Sequence, residues 1–303
     1  MAFIDGHKDR CTSDGHRWGV QSICETLQVA SSTYYAAKKR PPSARAVRDQ
    51  VMIPILMALW VTNRKVYGAL KLWRAARRAG HDIGRDQVAR LMREMAIEGV
   101  RRAKAVRTTR PTESADRPED LVDRDFTATG PNRLWVTDLT HVATHAGTAY
   151  VCFIIDAYSR AIVGWRVASN MATSMVLDAL EMARRSRGTH LEGLVAHSDA
   201  GSQYTSVRWT ERLDEIGAQP SIGSVADSYD NALAEAVNGL YKTELIRGPD
   251  QGPWRTVNDV ELATLSWVHW WNNERLHSHC GHRPPFEFEA LYTDQQADQT
   301  LVG

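Results

Sequence analysis

The stretch His197-Ser198-Asp199-Ala200-Gly201-Ser202-Gln203-Tyr204-Thr205-Ser206 decides how this chain is read, together with Asp230-Asn231-Ala232-Leu233-Ala234-Glu235 and, seven residues on, Lys242. Asp199 follows the apolar run Gly193-Leu194-Val195-Ala196, a short buried strand by its pattern, so its carboxylate is expected at a strand's C-terminal end. Glu235 lies in a helical pattern that puts it on one face with Lys242, two turns away. A third carboxylate, Asp138, sits in the strand-like run Leu134-Trp135-Val136-Thr137-Asp138-Leu139-Thr140. Two strand carboxylates and one helix carboxylate can converge on a pair of divalent metal ions. Such pairs clamp the attacking and leaving oxygens of an in-line phosphoryl displacement.

Outward from these residues the pattern is α/β. Strands are expected at 133–141, 149–156 and 161–168, the last two joined by the turn Asp156-Ala157-Tyr158-Ser159-Arg160. A helix at 173–185, a strand at 191–197, a helix at 207–216, a strand at 219–222 and the helix of Glu235 follow. That is the order of a ribonuclease-H-like core: a mixed five-stranded sheet, three antiparallel strands first and parallel ones after. Magnesium, with manganese as a substitute, suits such a site, being a hard ion that takes one or two carboxylates and keeps room for substrate phosphate. Asp156 reads as a turn residue rather than a fourth ligand, and Asp230 as the cap of the Glu235 helix. His197 is open between packing and a role in the site. Asn231, at the helix start, is a candidate for the scissile phosphate.

Charge divides the chain. Residues 1–110 carry 22 Lys and Arg against 9 Asp and Glu, whereas residues 111–303 carry 15 against 27, within a net charge of only +1. A basic front half suits a polyanion. Val20 to Leu27, a turn, and a second helix capped by Ser31 or Ser32 and ending at Lys38-Lys39-Arg40 read as a helix-turn-helix, or as a plain helical hairpin. Val51 to Trp60 reads as an apolar helix that tolerates Pro54 only in its first turn. Beyond it, Tyr67 to Gly80 and Arg85 to Met95 form a second helix-turn-helix frame. Val88, Leu91, Met92 and Met95 face inward, which leaves Arg85, Gln87, Arg90 and Arg93 for DNA or as a solvated basic face. Arg101 and Arg102 open a basic run that either tracks a DNA backbone or forms a charged tether. The divisions are thus 1–46, 47–110, a linker at 111–130, the core at 131–290, and a tail at 291–303 that is expected to fray after Tyr292.

Four cysteines without C-x-x-C spacing indicate neither a disulfide framework nor a zinc ribbon, and a zinc site at His277, His279, Cys280 and His282 is disfavoured. Trp267, Trp270 and Trp271 read as core. No stretch has the length of a membrane span. A reducing bacterial cytoplasm, with nucleoid association, is the expected setting.

With 35 residues between Asp199 and Glu235 and Asp138 far upstream, the chain resembles the DDE transposase and retroviral-type integrase superfamily. More closely it resembles the second-reading-frame product of insertion-sequence-three family transposases. His-Ser-Asp-x-Gly-Ser-Gln-Tyr at 197–204, Tyr-Asp-Asn-Ala-x-Ala-Glu at 229–235, and Asn273-x-Arg275-x-His277-Ser278 with Arg283-Pro284-Pro285-x-x-Phe288 carry that resemblance over nearly the whole chain. The resemblance implies binding of terminal inverted repeats, metal-dependent 3′-end cleavage and transfer of that end to target DNA. It also implies Asp138, Asp199 and Glu235 as metal-holding catalytic residues and a terminal-DNA contact by Lys242. A homo-oligomeric synaptic complex and fusion to an upstream frame, whose coiled coil this sequence does not show, are further expectations. The rivals are a non-catalytic DNA-binding regulator of transposition and a nuclease that only hydrolyses.

Overall fold

The computed structural model describes residues 1–11, 13, 15, 17–101, 120–122, 125–188, 191–199, 201, 203, 204, 206–223, 231–249 and 251–302. The chain forms two compact units, Met1–Pro54 and Ile55–Gly303.

In the first unit α1 (Ala2–His7), α2 (Val20–Thr26) and α3 (Ser31–Lys39) enclose a small core of Ile4, Ile23, Cys24 and Tyr34. The Tyr34 hydroxyl and the Lys38 ammonium both donate to Asp5, at 2.8 and 2.7 Å, which ties α3 to α1. The second helix starts one residue earlier than a serine cap requires. Ala30 is its N-cap, with no side-chain capping bond, because Gln28 takes a left-handed conformation (φ 55°) and turns the chain before either serine.

The helix α4 (Ala44–Thr62) corrects the expected Val51–Trp60 span. It begins before the apolar run, where the Ser43 hydroxyl accepts from the Ala46 amide at 3.2 Å, so Pro54 lies in the helix interior rather than its first turn. Ala44 to Gln50 are polar or small but good helix formers, and a reading by apolar periodicity passes over them.

The second unit opens with α5 (Ala69–Arg78) and α6 (Arg85–Glu94). Gly80 ends α5 in a left-handed conformation (φ 84°), and the Trp73 indole donates to the Ile83 carbonyl at 2.8 Å, fixing the turn between them. Leu72, Ala76, Val88, Leu91 and Met92 are buried, and Met95 is half-buried.

The sheet follows, with β1 (Leu134–Thr144), β2 (Gly147–Asp156), β3 (Ile162–Ala168), β4 (Val195–Ser198) and β5 (Gln219–Ile222), in the order β3-β2-β1-β4-β5. β1, β2 and β3 are antiparallel and β4 and β5 run parallel to β1, as expected for a ribonuclease-H-like core. Between β3 and β4 runs α7 (Thr173–Arg187), and α8 (Val207–Glu215) precedes β5. Met175, Val176, Ala179, Leu180 and Ala183 of α7 pack with Trp135, Cys152, Ile154 and Trp209. Gly164 permits this approach, since a Cβ there would lie 2.2 Å from the Ala179 carbonyl.

A second aromatic core forms where α9 (Ala232–Tyr241) and α10 (Val257–Asn273) meet the sheet. Phe153, Tyr241, Trp267 and Trp271 stand with ring centroids 4.8 to 5.8 Å apart. Between these helices the chain makes a five-residue π-helical turn, Lys242–Ile246. The final helix α11 (Pro285–Val302) corrects the expected fraying after Tyr292. Tyr292 stacks edge-on against Tyr158, and the Thr293 hydroxyl donates to the Glu289 carbonyl within a helix that continues to Val302. Among the described residues no helix is long and apolar enough to cross a membrane. The four cysteines are free.

Candidate active site

Strand register brings the first two carboxylates together. Thr137 of β1 pairs with Ser198, the last residue of β4, so Asp138 and Asp199 are the next residues along two neighbouring parallel strands. The third arrives on α9, which is fastened to that point of β1 at both ends. The Asn231 amide donates to the Thr137 carbonyl at 3.2 Å, and the Asn238 amide donates to Asp138 Oδ2 at 2.9 Å. Glu235 stands between them on the same helical face, four residues from one and three from the other.

The electrostatics reflect this crowding. The Asp138 carboxyl is pushed up to about 7, first by burial, then by the charge of Asp199, with Glu235 adding to it. The Leu139 amide and Asn238 pull the other way. Asp199 is raised as well by the surrounding protein, against the Gly201 amide, which donates to it at 3.1 Å. Glu235 is exposed. Among the described residues no three acidic, His or Cys side chains close around one ion. The grouping is instead Asp138 flanked by Asp199 and Glu235, all hard oxygen donors. The side-chain carbonyl oxygens of Asn231 and Asn238 are buried beside it without hydrogen-bond partners. Such an excess of buried oxygen fits a hard divalent cation.

The motif around Asp199 explains itself residue by residue. His197 is fully buried and its Nδ1 lies 2.9 Å from the Ser221 hydroxyl of β5, so it packs inside the sheet. At Gly201 a Cβ would lie 3.0 Å from Asp199 Oδ1. Gln203 donates to the Met171 carbonyl at 3.1 Å, and the buried Tyr204 hydroxyl sits 3.3 Å from Thr137 Oγ1, directly before Asp138. The loop that carries Asp199 is therefore anchored to the strand that carries Asp138.

Asp156 is a turn residue, accepting from the Asn132 and Tyr158 amides at 2.7 and 2.8 Å. The N-cap of α9 is Asn231 rather than Asp230, which lies outside the described residues. Asn231 itself is buried, and its amide is committed to β1 because a buried donor needs a partner. Lys242, at the start of the π-turn, is half-buried. Burial first and Arg247 second lower its pKa, and Asp138 opposes them, so its ammonium senses the site.

Of the expected DNA contacts, Arg85 and Arg93 are exposed on α6 and Gln87 and Arg90 half-buried; Arg85 pairs with Asp86 and Arg90 with Glu94. Arg101 is exposed, and Arg102 lies outside the described residues. His277 is buried and the Cys280 thiol donates to the Ser159 carbonyl at 3.1 Å, so both serve packing. Sequence reasoning missed Asn238, although its place three residues after Glu235 could have marked it. It also missed the pairing of Arg275 with Glu244, for which nothing in the spacing gives a signal.

Comparison with known proteins agrees with the fold. Two models described as Integrase core domain match residues 128–228 and 216–285, and an HTH-like domain model matches residues 47–105. A Mycobacterium tuberculosis protein assigned as a transposase for insertion sequence element IS986/IS6110 is 52% identical over 89% of this chain and 98% of its own length. The transposase for insertion sequence element IS629 of Shigella sonnei is 47% identical over 91% and 93%. The transposase for IS904 of Lactococcus lactis is 31% identical over 82% and 98%. Among solved structures, a simian T-cell lymphotropic virus intasome overlaps 74% of this chain and 70% of its own with a TM-score of 0.46 and 16% identity, too little to add to what the sheet order gives.

Proposed function

The chain belongs to the insertion-sequence-three family of DNA transposases, with an integrase-type catalytic core, and on that premise we propose that Asp138, Asp199 and Glu235 are its catalytic, metal-holding residues. In this reading the protein binds the terminal inverted repeats of its element, frees a 3′ end and joins it to target DNA by transesterification. The observation that carries the proposal is the placement of Asp138 and Asp199 side by side on neighbouring parallel strands, with Glu235 on the helix fastened to that point by Asn231 and Asn238. Magnesium or manganese bound there would activate a water or 3′-hydroxyl and steady the leaving 3′-oxygen.

The chain's own residues do the rest. Asp138, Asp199 and Glu235 would hold the metal with their carboxylate oxygens. Asn238 holds Asp138 Oδ2 in place, and Tyr204 anchors the Asp199 loop. Lys242 would take a phosphate of the terminal DNA, and Asn231, at the opposite end of α9, would lie toward the scissile phosphate. Arg85, Gln87, Arg90 and Arg93 of α6, with Arg101 and Arg102, would hold the repeat. The divisions 1–46, 47–110, 111–130, 131–290 and 291–303 are proposed as functional segments, and a homo-oligomer as the state that brings two ends together.

The test is cleavage and joining of a labelled terminal repeat with Mg²⁺ or Mn²⁺, comparing wild type with Glu235→Gln. Joined product from wild type alone is the expected result. Hydrolysis without joining would favour the nuclease. Binding without chemistry, persisting when the upstream frame is supplied as a fusion, would favour the regulator.

A further inference from the structure

The turn that begins at Lys242 is built with unusual care. A π-helical turn closes i to i+5 and is rare in proteins, often standing at functional sites. Here the Arg247 amide reaches back to the Lys242 carbonyl at 2.8 Å, which brings the start and end of the turn together. Three devices hold it. Glu244, its central residue, is buried and accepts from Arg275, whose Nε lies 2.9 and 3.2 Å from the two carboxylate oxygens and whose Nη2 lies 2.5 Å from Oε1. Arg275 in turn lies over the Trp271 ring, 4.5 Å from its centroid. The Trp254 indole donates to the Ile246 carbonyl at 3.1 Å. Gly248 lets the chain leave, since a Cβ there would stand 2.2 Å from the Glu244 carbonyl.

What this scaffold presents is a pair of cations. Arg247 is exposed, Lys242 half-buried, and each is close enough for the arginine to disfavour the lysine's charge. Among the described residues neither forms an ion pair, although other arginines of the molecule find carboxylates readily. Two like charges held together by a buried framework are repulsive in the free protein and become favourable when an anion lies between them. Arg247 also lines a groove with Trp60, Ile97, Glu98, Gly99 and Arg101.

We propose that Arg247 is the second cation of a phosphodiester grip with Lys242, and that the buried Glu244–Arg275 pair is the positioning device that holds this grip beside the carboxylates. The ligand is a backbone phosphate of the terminal DNA, read without regard to base. Arg275, from the Asn273-x-Arg275-x-His277 motif, acts through Glu244 and touches no DNA itself. The proposal rests on the strand-transfer reading for its ligand, but its test does not depend on chemistry.

Binding of a fluorescein-labelled duplex bearing the element's end is measured for the full chain in EDTA across a salt series. Arg247→Ala should lower the slope of log affinity against log salt by about one and weaken a random-sequence duplex equally, as loss of one phosphate contact does. Arg247→Lys should restore most of the slope. Gly248→Ala, which leaves every charge in place but forces the turn apart, should lower the slope by about two, and Arg275→Lys should do the same. A wild-type slope for Arg247→Ala overturns the grip. A wild-type slope for Gly248→Ala in a cooperatively melting protein overturns the positioning role, even if Arg275→Lys fails to fold. Glu235→Gln should bind with the wild-type slope; if it also joined ends, the catalytic assignment would fall and the grip would stand.

Discussion

Glu235 and Glu244 lie nine residues apart on one run of helix, and their surroundings treat negative charge in opposite ways. Beside Glu235, burial and then the charge of Asp199 raise the Asp138 carboxyl to about 7, with Glu235 adding to it. Glu244 is buried, and Arg275 meets it with three hydrogen bonds while lying over the Trp271 ring. A carboxylate matched within the chain serves the architecture. A carboxyl that burial and a neighbouring carboxylate push up to about 7 is suited to a cation that comes from outside.

If that contrast is right, the two clusters respond to neutralisation with opposite signs. The largest effect is expected from Arg275→Met, which strands Glu244 as a lone buried charge and should cost about 3–5 kcal/mol by chemical denaturation. Adding Glu244→Leu should recover most of the loss, because an apolar pair replaces an ion pair well. A single mutant as stable as wild type would remove Glu244 and Arg275 from the architecture and break the comparison.

Asp138→Asn should do the reverse in metal-free protein. The folded pKa of about 7 lies above the unfolded value of 3.8, so the carboxyl's contribution to stability is complete below about pH 4 and is lost as pH rises through 7. The amide escapes that loss. At pH 8 the variant should be more stable than wild type by on the order of 2 kcal/mol, and the gain should shrink steadily toward pH 4. A variant destabilised at pH 8 would mean that Asp138 is internally compensated after all.

The same contrast separates what could be read from the chain and what could not. The strands were legible because apolar residues alternate or run together in them, and β5 begins and ends where its pattern does, Gln219 to Ile222. The candidate site was legible because Asp138 lies within a strand, Asp199 just past the end of another and Glu235 on a helix, placements that local pattern gives. Glu244–Arg275 was not, since 31 residues part the two and their match depends on how α10 crosses the sheet. Asn238 escaped for a related reason. Its partner Asp138 is 100 residues away, and a helical asparagine looks ordinary until the strand beneath it is known. Pro54 misled because a proline is a poor guide to where a helix begins when the preceding turn is strongly helical.

Lys71 offers a finer measure of the architectural cluster, since it lies beside Arg275 and Glu244. Burial, reinforced by Arg275, lowers its pKa from 10.5 to about 7. Between those values the unfolded chain holds the extra proton, so stability should rise with pH across that window, and the penalty is complete below about 7. Lys71→Met should therefore raise the melting temperature more at pH 6 than at pH 9. The side chain keeps some solvent and a cation–π contact with Tyr67 at 5.4 Å, which limits the gain to about 1 kcal/mol. An equal gain at both pH values would mean that packing, rather than charge, is what the methionine improves.

Tyr204→Phe tests the anchor between the strand of Asp138 and the loop of Asp199 and should have the smallest effect. Among the described residues its hydroxyl partners are the Thr137 hydroxyl at 3.3 Å and the Cys152 thiol at 3.9 Å, and those two lie 3.7 Å from each other. Removing the phenol oxygen leaves them able to pair, and the ring keeps its edge-on contact with Trp209 at 5.4 Å. A loss of about 0.5–1 kcal/mol is expected. Because burial holds the phenol well above its ordinary pKa, it stays protonated from pH 6 to 9 and the loss should be flat across that range. A loss that grew with pH alongside the Asp138 titration would instead make the hydroxyl part of the charged cluster, moving Tyr204 from the architectural side of the molecule to the side that waits for a ligand.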